Sequence, residues 1–156
     1  MQFTTSVLSL IALAVSVNAH GHSISPLAMA NTTPFQNIRI PANGCGEGVD
    51  VSKGTVAATY KAGSTGTVIW DMVNGDGGGP LSVAFDASGK GTSFTKAKII
   101  TNIEGSNGGV SNSVKRGNKT LTFTVPSTTC ARCVMQIRQD ITGKDGFGSC
   151  AIVTIS

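Results

Sequence analysis

Histidine is nearly absent from this chain. Two occur in 156 residues, His20 and His22, and both precede the first cysteine. A Ser–His–Asp or Cys–His catalytic set would therefore have to recruit the start of the chain. Charge is scarce too, at 13% of residues, against about 25% in an ordinary soluble domain. The carboxylates, Glu47, Glu104 and six aspartates, show no paired spacing of the kind glycoside hydrolysis uses. The 12 lysines and arginines give a net charge of +4 but are scattered from Arg39 to Lys144 without a cluster. That excludes a nucleic-acid face and leaves a weakly basic surface suited to a neutral or acidic polymer. Among the few aromatics, Trp70 and Tyr60 are the only large polar ones, and both fall on predicted strands, so no sugar-stacking platform is evident.

One long apolar run is present, Val7–Val17. It is shorter than the roughly 20 residues a membrane span requires and has the length of a secretory-signal core. Val17-Asn18-Ala19 then places small residues at the −3 and −1 positions of a cleavage site. Residues 1–19 are thus expected to be a removed signal peptide. Residues 20–156 are expected to be one mature, soluble, monomeric domain that neither spans nor anchors to a membrane. In an oxidising compartment the four cysteines, Cys45, Cys130, Cys133 and Cys150, suggest two disulfides in one of three connectivities. A zinc site at Cys130-x-x-Cys133 would need two further soft ligands. Sequons at Asn31 and Asn118 suit glycosylation of a secreted protein.

No helix-length stretch shows helical periodicity. Short β-rich segments recur instead at Thr55–Tyr60, Thr67–Val73, Leu81–Phe85, Ala97–Ile103, Leu121–Val125, Cys133–Gln139 and Ala151–Ile155, separated by glycine- and asparagine-rich turns. The pattern predicts an all-β, two-sheet sandwich. Residues 22–50, with three prolines, read as a long irregular surface loop that Cys45 can pin. Asn74–Gly79 reads as the hairpin turn between two strands, with Asp76 a turn former. Phe147 reads as a core aromatic.

Cleavage after Ala19 would expose His20-Gly21-His22, which can bind copper in two ways. The amine and imidazole of His20 can chelate one ion, with a third ligand from elsewhere. Alternatively the amine, two deprotonated amides and the His22 imidazole can form a square-planar set. Nitrogen donors favour Cu(II) among first-row divalent ions. The plain alternative is an exposed terminus carrying two solvated histidines.

A signal followed by His-Gly resembles the lytic polysaccharide monooxygenases, copper enzymes whose mature chain begins with histidine. Cys133-Val134-Met135-Gln136 and Phe147-Gly148-Ser149-Cys150-Ala151 are similar to that superfamily's late strands. The resemblance implies an immunoglobulin-like β-sandwich, Phe147 at the axial position of the copper, a Cys45–Cys150 disulfide and, by remainder, Cys130–Cys133. Those enzymes take a second histidine from mid-chain, and here the corresponding Asn74–Gly79 segment offers Asp76. That segment with Pro80-Leu81, and Ile100–Gly108, more closely resembles the Egh-like (Gas/Mas-type) secreted virulence factors of fungi, which have no established catalysis. A carboxylate in place of imidazole would stabilise Cu(II) over Cu(I). The resemblance therefore implies a secreted protein that binds one copper through His20, with Asp76 or His22 as further ligand, at a cell wall or host surface and without full monooxygenase activity. Two alternatives are oxidative cleavage of chitin or cellulose, and a metal-free wall-binding module. In every case the implied partner is a polysaccharide or another wall or host-surface component.

Overall fold

The computed structural model describes residues 20–29 and 39–156. Ten strands follow in order: β1 Gly21–Ser25, β2 Arg39–Ile40, β3 Val56–Tyr60, β4 Thr65–Met72, β5 Leu81–Asp86, β6 Thr95–Lys96, β7 Ile99–Thr101, β8 Gly117–Thr124, β9 Cys130–Gln139 and β10 Gly146–Ile155. They form the expected two-sheet sandwich. One sheet has the order β1-β4-β8-β7. The other runs β2-β10-β9-β5-β6, with β3 also joined to β10 in parallel.

Period-two patterning builds the core. Along β4, Val68, Trp70 and Met72 face inward, and Leu121 and Phe123 do the same on the adjacent β8. Opposite them lie Val83 and Phe85 of β5, Met135 and Ile137 of β9, and Ala151 and Val153 of β10. Each large side chain buried there contributes about 1.5–3 kcal/mol. The outer face of β4 and β8 stays polar, with Thr65, Thr67 and Thr120 exposed.

Three expectations are corrected. The segment after β4 is not a hairpin turn. β4 pairs with β1 and β8 while β5 pairs with β9 and β6, so Asn74–Gly79 carries the chain across one end of the sandwich. Residues 22–50 are not wholly irregular, because β2 and all of β1 but its first residue fall within them. The 97–103 strand is shorter than expected: β7 covers only Ile99–Thr101, and the preceding β6 ends at Lys96 in the other sheet.

A second layer covers the outside of the larger sheet. Cys45 is bonded to Cys150, and Val134 and Ile152 pack beside that bridge with Met29, Val49, Val51 and Phe94. The polar residues on the outer face of β9 hold this layer by donating to its carbonyls. Gln136 Nε2 bonds Pro41, Ala42 and Gly44 O, Arg138 Nε bonds Ile40 O, and Arg132 Nη2 bonds Val51 and Ser52 O. Cys130 and Cys133 form the second, local disulfide.

At the end of β5, the buried Asp86 carboxylate accepts bonds from Ser88 N and Oγ, Thr92 N and Ser93 N. Burial pushes its pKa up, but these bonds outweigh burial and hold it at about 2. A depressed folded-state pKa stabilises the fold above the unfolded value of 3.8 and ceases to do so as pH falls through about 2. Acid titration between about pH 4 and pH 2 should therefore remove on the order of 2 kcal/mol. In Asp86→Asn, which cannot ionise, that part of the pH dependence should be absent from denaturant midpoints; an unchanged slope would refute the assignment.

Candidate functional site

The crossing segment, the start of β1 and the start of β10 meet at one end of the sandwich. Gly75–Gly77 forms a 3-10 turn, begun by Asn74, whose side-chain Oδ1 accepts from Asp76 N at 3.0 Å. The same oxygen accepts from the backbone N of His20 at 2.9 Å. The His20 carbonyl accepts in return from Val73 N at 2.9 Å and Asn74 N at 3.2 Å. Asn74 thus grips His20 from both sides of its backbone. Gly77 is required at its position, because a Cβ there would overlap the His20 carbonyl. Gly21 is required for the same reason, since a Cβ would run into the Trp70 indole. That indole is fully buried and donates Nε1–H to Gly77 O at 2.9 Å, tying the turn to the core.

The His20 imidazole stacks on Phe147, with ring centroids 3.3 Å apart and planes inclined by 29°. The Arg39 guanidinium carbon lies 4.3 Å from the same Phe147 centroid. An imidazole at that distance fills one face of the ring, so the guanidinium occupies the other. Phe147 is buried, as a core aromatic would be, yet one of its neighbours is the histidine at the site.

Gln139 connects the parts. It ends the inward row Cys133, Met135, Ile137 of β9 and has no exposed surface. Its Nε2 donates to Asp76 O at 2.8 Å, Gly78 O at 2.6 Å and Gly108 O at 3.1 Å, and its Oε1 accepts from Phe147 N at 3.3 Å. One carboxamide thereby fixes the turn beside His20 relative to the ring beneath it.

The residues singled out from sequence are therefore only partly assembled. His20 and Phe147 are in contact. Asp76 sits in the turn adjoining His20, but the residue is exposed. His22 is half-buried on β1, opposite Asp71 of β4. Among the described residues, no three His, Cys, Asp or Glu side chains converge as a metal cluster, so His20, His22 and Asp76 do not form a joint side-chain site. The square-planar arrangement would also have to open β1, since Gly21 and His22 are laddered to Met72 and Asp71. Of the sequons, Asn118 is exposed on β8 and Asn31 lies outside the described residues. Sequence reading missed Asn74, Gln139 and Arg39 as site residues. Gln139 had a detectable signal, a polar residue ending an otherwise apolar period-two row.

Fold and site together define a class: a disulfide-pinned β-sandwich that presents one histidine against an aromatic ring at the edge where its two sheets meet. The particular family follows from a match over residues 7–141 to the Egh16-like virulence factors, and the chain belongs to that family. The matched stretch contains His20, Asn74, Asp76 and Gln139, and ends before Phe147 and Cys150. It bears out the Egh-like part of the resemblance. No curated protein gives a match.

Proposed function

We propose that this is a secreted virulence-related protein that acts outside the cell, at a cell wall or host surface, and holds one Cu(II) ion at the amino terminus of its processed chain. The observation that carries this reading is the presentation of His20: its backbone nitrogen and its imidazole lie together at one end of the fold, fixed by Asn74 and Phe147. Cleavage after Ala19 would turn that nitrogen into an amine, giving one residue two nitrogen donors of the kind Cu(II) prefers. The donor set thus fits copper through His20, with Asp76 in the adjoining turn, or His22, as further ligand. When bound, copper supplies a Lewis-acidic centre able to take up further donors. The chain's own residues orient and shield that centre. Asn74 aims the amine, and Phe147 excludes water from one side of the imidazole. A carboxylate as further ligand would favour the oxidised ion, which supports binding without monooxygenase turnover.

Secretion is supported by the Val7–Val17 run, by the two disulfides, and by the exposed Asn118 and Thr120 of one sequon on the outer face of β8, where a glycan has room. Among the described residues no helix is long and apolar enough to cross a membrane.

Calorimetric titration with Cu(II) of protein beginning at His20, beside protein retaining Ala19, tests the reading. One-to-one binding that is lost when Ala19 is retained is the expected result, and Asp76→Ala and His22→Ala then identify the further ligand. No binding in either protein would leave a metal-free wall-binding module. Oxidised oligosaccharides from chitin or cellulose, given copper and a reductant, would instead establish an oxidative enzyme.

A further inference from the structure

We infer that Arg39 and Arg116 form an anion clamp beside His20, built to hold a polysaccharide that carries carboxylate groups. This rests on the reading that the protein acts at a glycan-bearing wall or host surface, but not on copper.

The observation is how the four arginines spend their donors. On one edge of a guanidinium, Nε–H and Nη2–H point the same way and match the two oxygens of a carboxylate. The fold consumes that edge in two of them. Arg132 Nη2 donates to Val51 O and Ser52 O, and Arg138 donates through Nε to Ile40 O and through Nη2 to Lys144 O. Arg39 and Arg116 differ. Arg39 donates through Nη1 alone, to Asp145 O at 3.2 Å. Arg116 also donates through Nη1 alone, to Ser111 O at 3.2 Å and Val114 O at 2.6 Å. Among the described residues, neither Nε–Nη2 edge has an acceptor, and neither arginine belongs to an ion pair.

Both open edges belong to residues at the site. The Arg39 guanidinium covers the face of Phe147 opposite His20. Arg116 Nη2 lies 3.3 Å from where a Gly75 Cβ would stand, in the turn that Asn74 fastens to His20. Each side chain is anchored before a ligand arrives, Arg39 by a ring and a carbonyl, Arg116 by two carbonyls. An anchored fork loses less side-chain freedom on binding than a free one.

The local charge balance is positive. Outside the ion pairs, Asp71, Asp76 and Asp145 share this end of the sandwich with Arg39, Arg116, Lys115 and Lys144. Arg39 takes the backbone oxygen of Asp145 and leaves its carboxylate unpaired. A lone carboxylate can engage one fork. A chain of uronic acid residues can engage both, and its second contact is then intramolecular. That selects an acidic polymer over a neutral one.

Calorimetric titration of the processed protein with polygalacturonate tests the clamp. A chelator is present, so that copper plays no part. Galacturonate monomer and the fully methyl-esterified polymer should each bind at least about tenfold more weakly than polygalacturonate. Arg39→Gln and Arg116→Gln should each weaken binding about tenfold. Arg39→Lys keeps the charge but loses the fork, and should remain at least about threefold weaker than the native protein. Lys61→Gln/Lys98→Gln removes two exposed charges at the far end of β4 and β8, where Thr65 pairs with Thr124. It should change binding less than about twofold. Arg39→Gln alone decides the matter if Arg116→Gln fails to fold, because Arg39 is exposed. Unchanged affinity in Arg39→Gln, undiminished binding of the esterified polymer, or an equal loss in the double lysine variant would overturn the inference. So would tighter binding to vesicles containing phosphatidylserine than to the polymer. A failed copper titration with this pattern intact would reject the metal and keep the clamp. Copper binding without polygalacturonate binding would do the reverse.

Discussion

Replacing Gln139 by leucine should cost on the order of 3–5 kcal/mol of folding stability and lower the melting temperature by roughly 10 °C or more. Leucine is close in size, so the loss would not come from a cavity. It would come from stranding Asp76 O, Gly78 O, Gly108 O and Phe147 N, which Gln139 satisfies from a position with no exposed surface. Each buried group left without its partner costs about 1–3 kcal/mol, and partial entry of water keeps the total below the simple sum. Gln139→Glu should be no milder, because it deletes the donors and places a charge between the sheets. A general loss of stability is not the distinguishing result. The amides of Phe147 and Gly77 should gain hydrogen exchange before those of β8, since the carboxamide joins the turn to β10 and touches neither β4 nor β8 through these bonds. A loss under about 1 kcal/mol, or uniform exchange across both sheets, would show that the carboxamide is not the hub described here.

The elements legible in the sequence are those whose two faces differ. β4 and β8 alternate apolar and polar because one face meets the core and the other meets water, and periodicity reads that contrast directly. β9 breaks the rule. Arg132, Gln136 and Arg138 look like a solvent-facing row, yet the covering segment turns their donors inward to its carbonyls. Nothing local distinguishes a polar side chain that faces water from one that faces a loop arriving from some 90 residues away. Asn74–Gly79 reads as a hairpin for a related reason: the residues that make a tight hairpin also make a turn crossing between sheets, and only strand pairing decides which. At the site, His20 and Phe147 could be named from the chain start and from resemblance. Asn74 and Arg39 could not, because their roles exist only after the fold brings residues 20, 39, 74 and 147 together.

The two disulfides should differ sharply in what their removal costs. Loop-closure entropy grows with the logarithm of loop length. Cys45–Cys150 spans 105 positions and Cys130–Cys133 spans 3, so the entropic model gives about 4.8 kcal/mol for the first and about 1.6 kcal/mol for the second. The packing argument points the same way. Cys45 and Cys150 lie within the outer cluster with Val134 and Ile152, and their bond fastens the covering segment over β9 and β10. The Cys130–Cys133 bridge joins residues already in one strand and closes no new contact between elements. Cys45→Ala/Cys150→Ala should therefore lower stability by roughly 2–5 kcal/mol, and Cys130→Ala/Cys133→Ala by clearly less. The first variant should also loosen the Gln136 and Arg138 bonds to residues 40–44, which rely on that segment staying seated. Because β2 leads directly into that segment and Arg39 lies on Phe147, the perturbation should reach the His20 ring. Denaturant unfolding of both double variants, with proteolysis to follow the covering segment, checks the ordering. Equal costs for the two bridges, or a covering segment that stays resistant to proteolysis without Cys45–Cys150, would mean that the three β9 side chains alone hold it down.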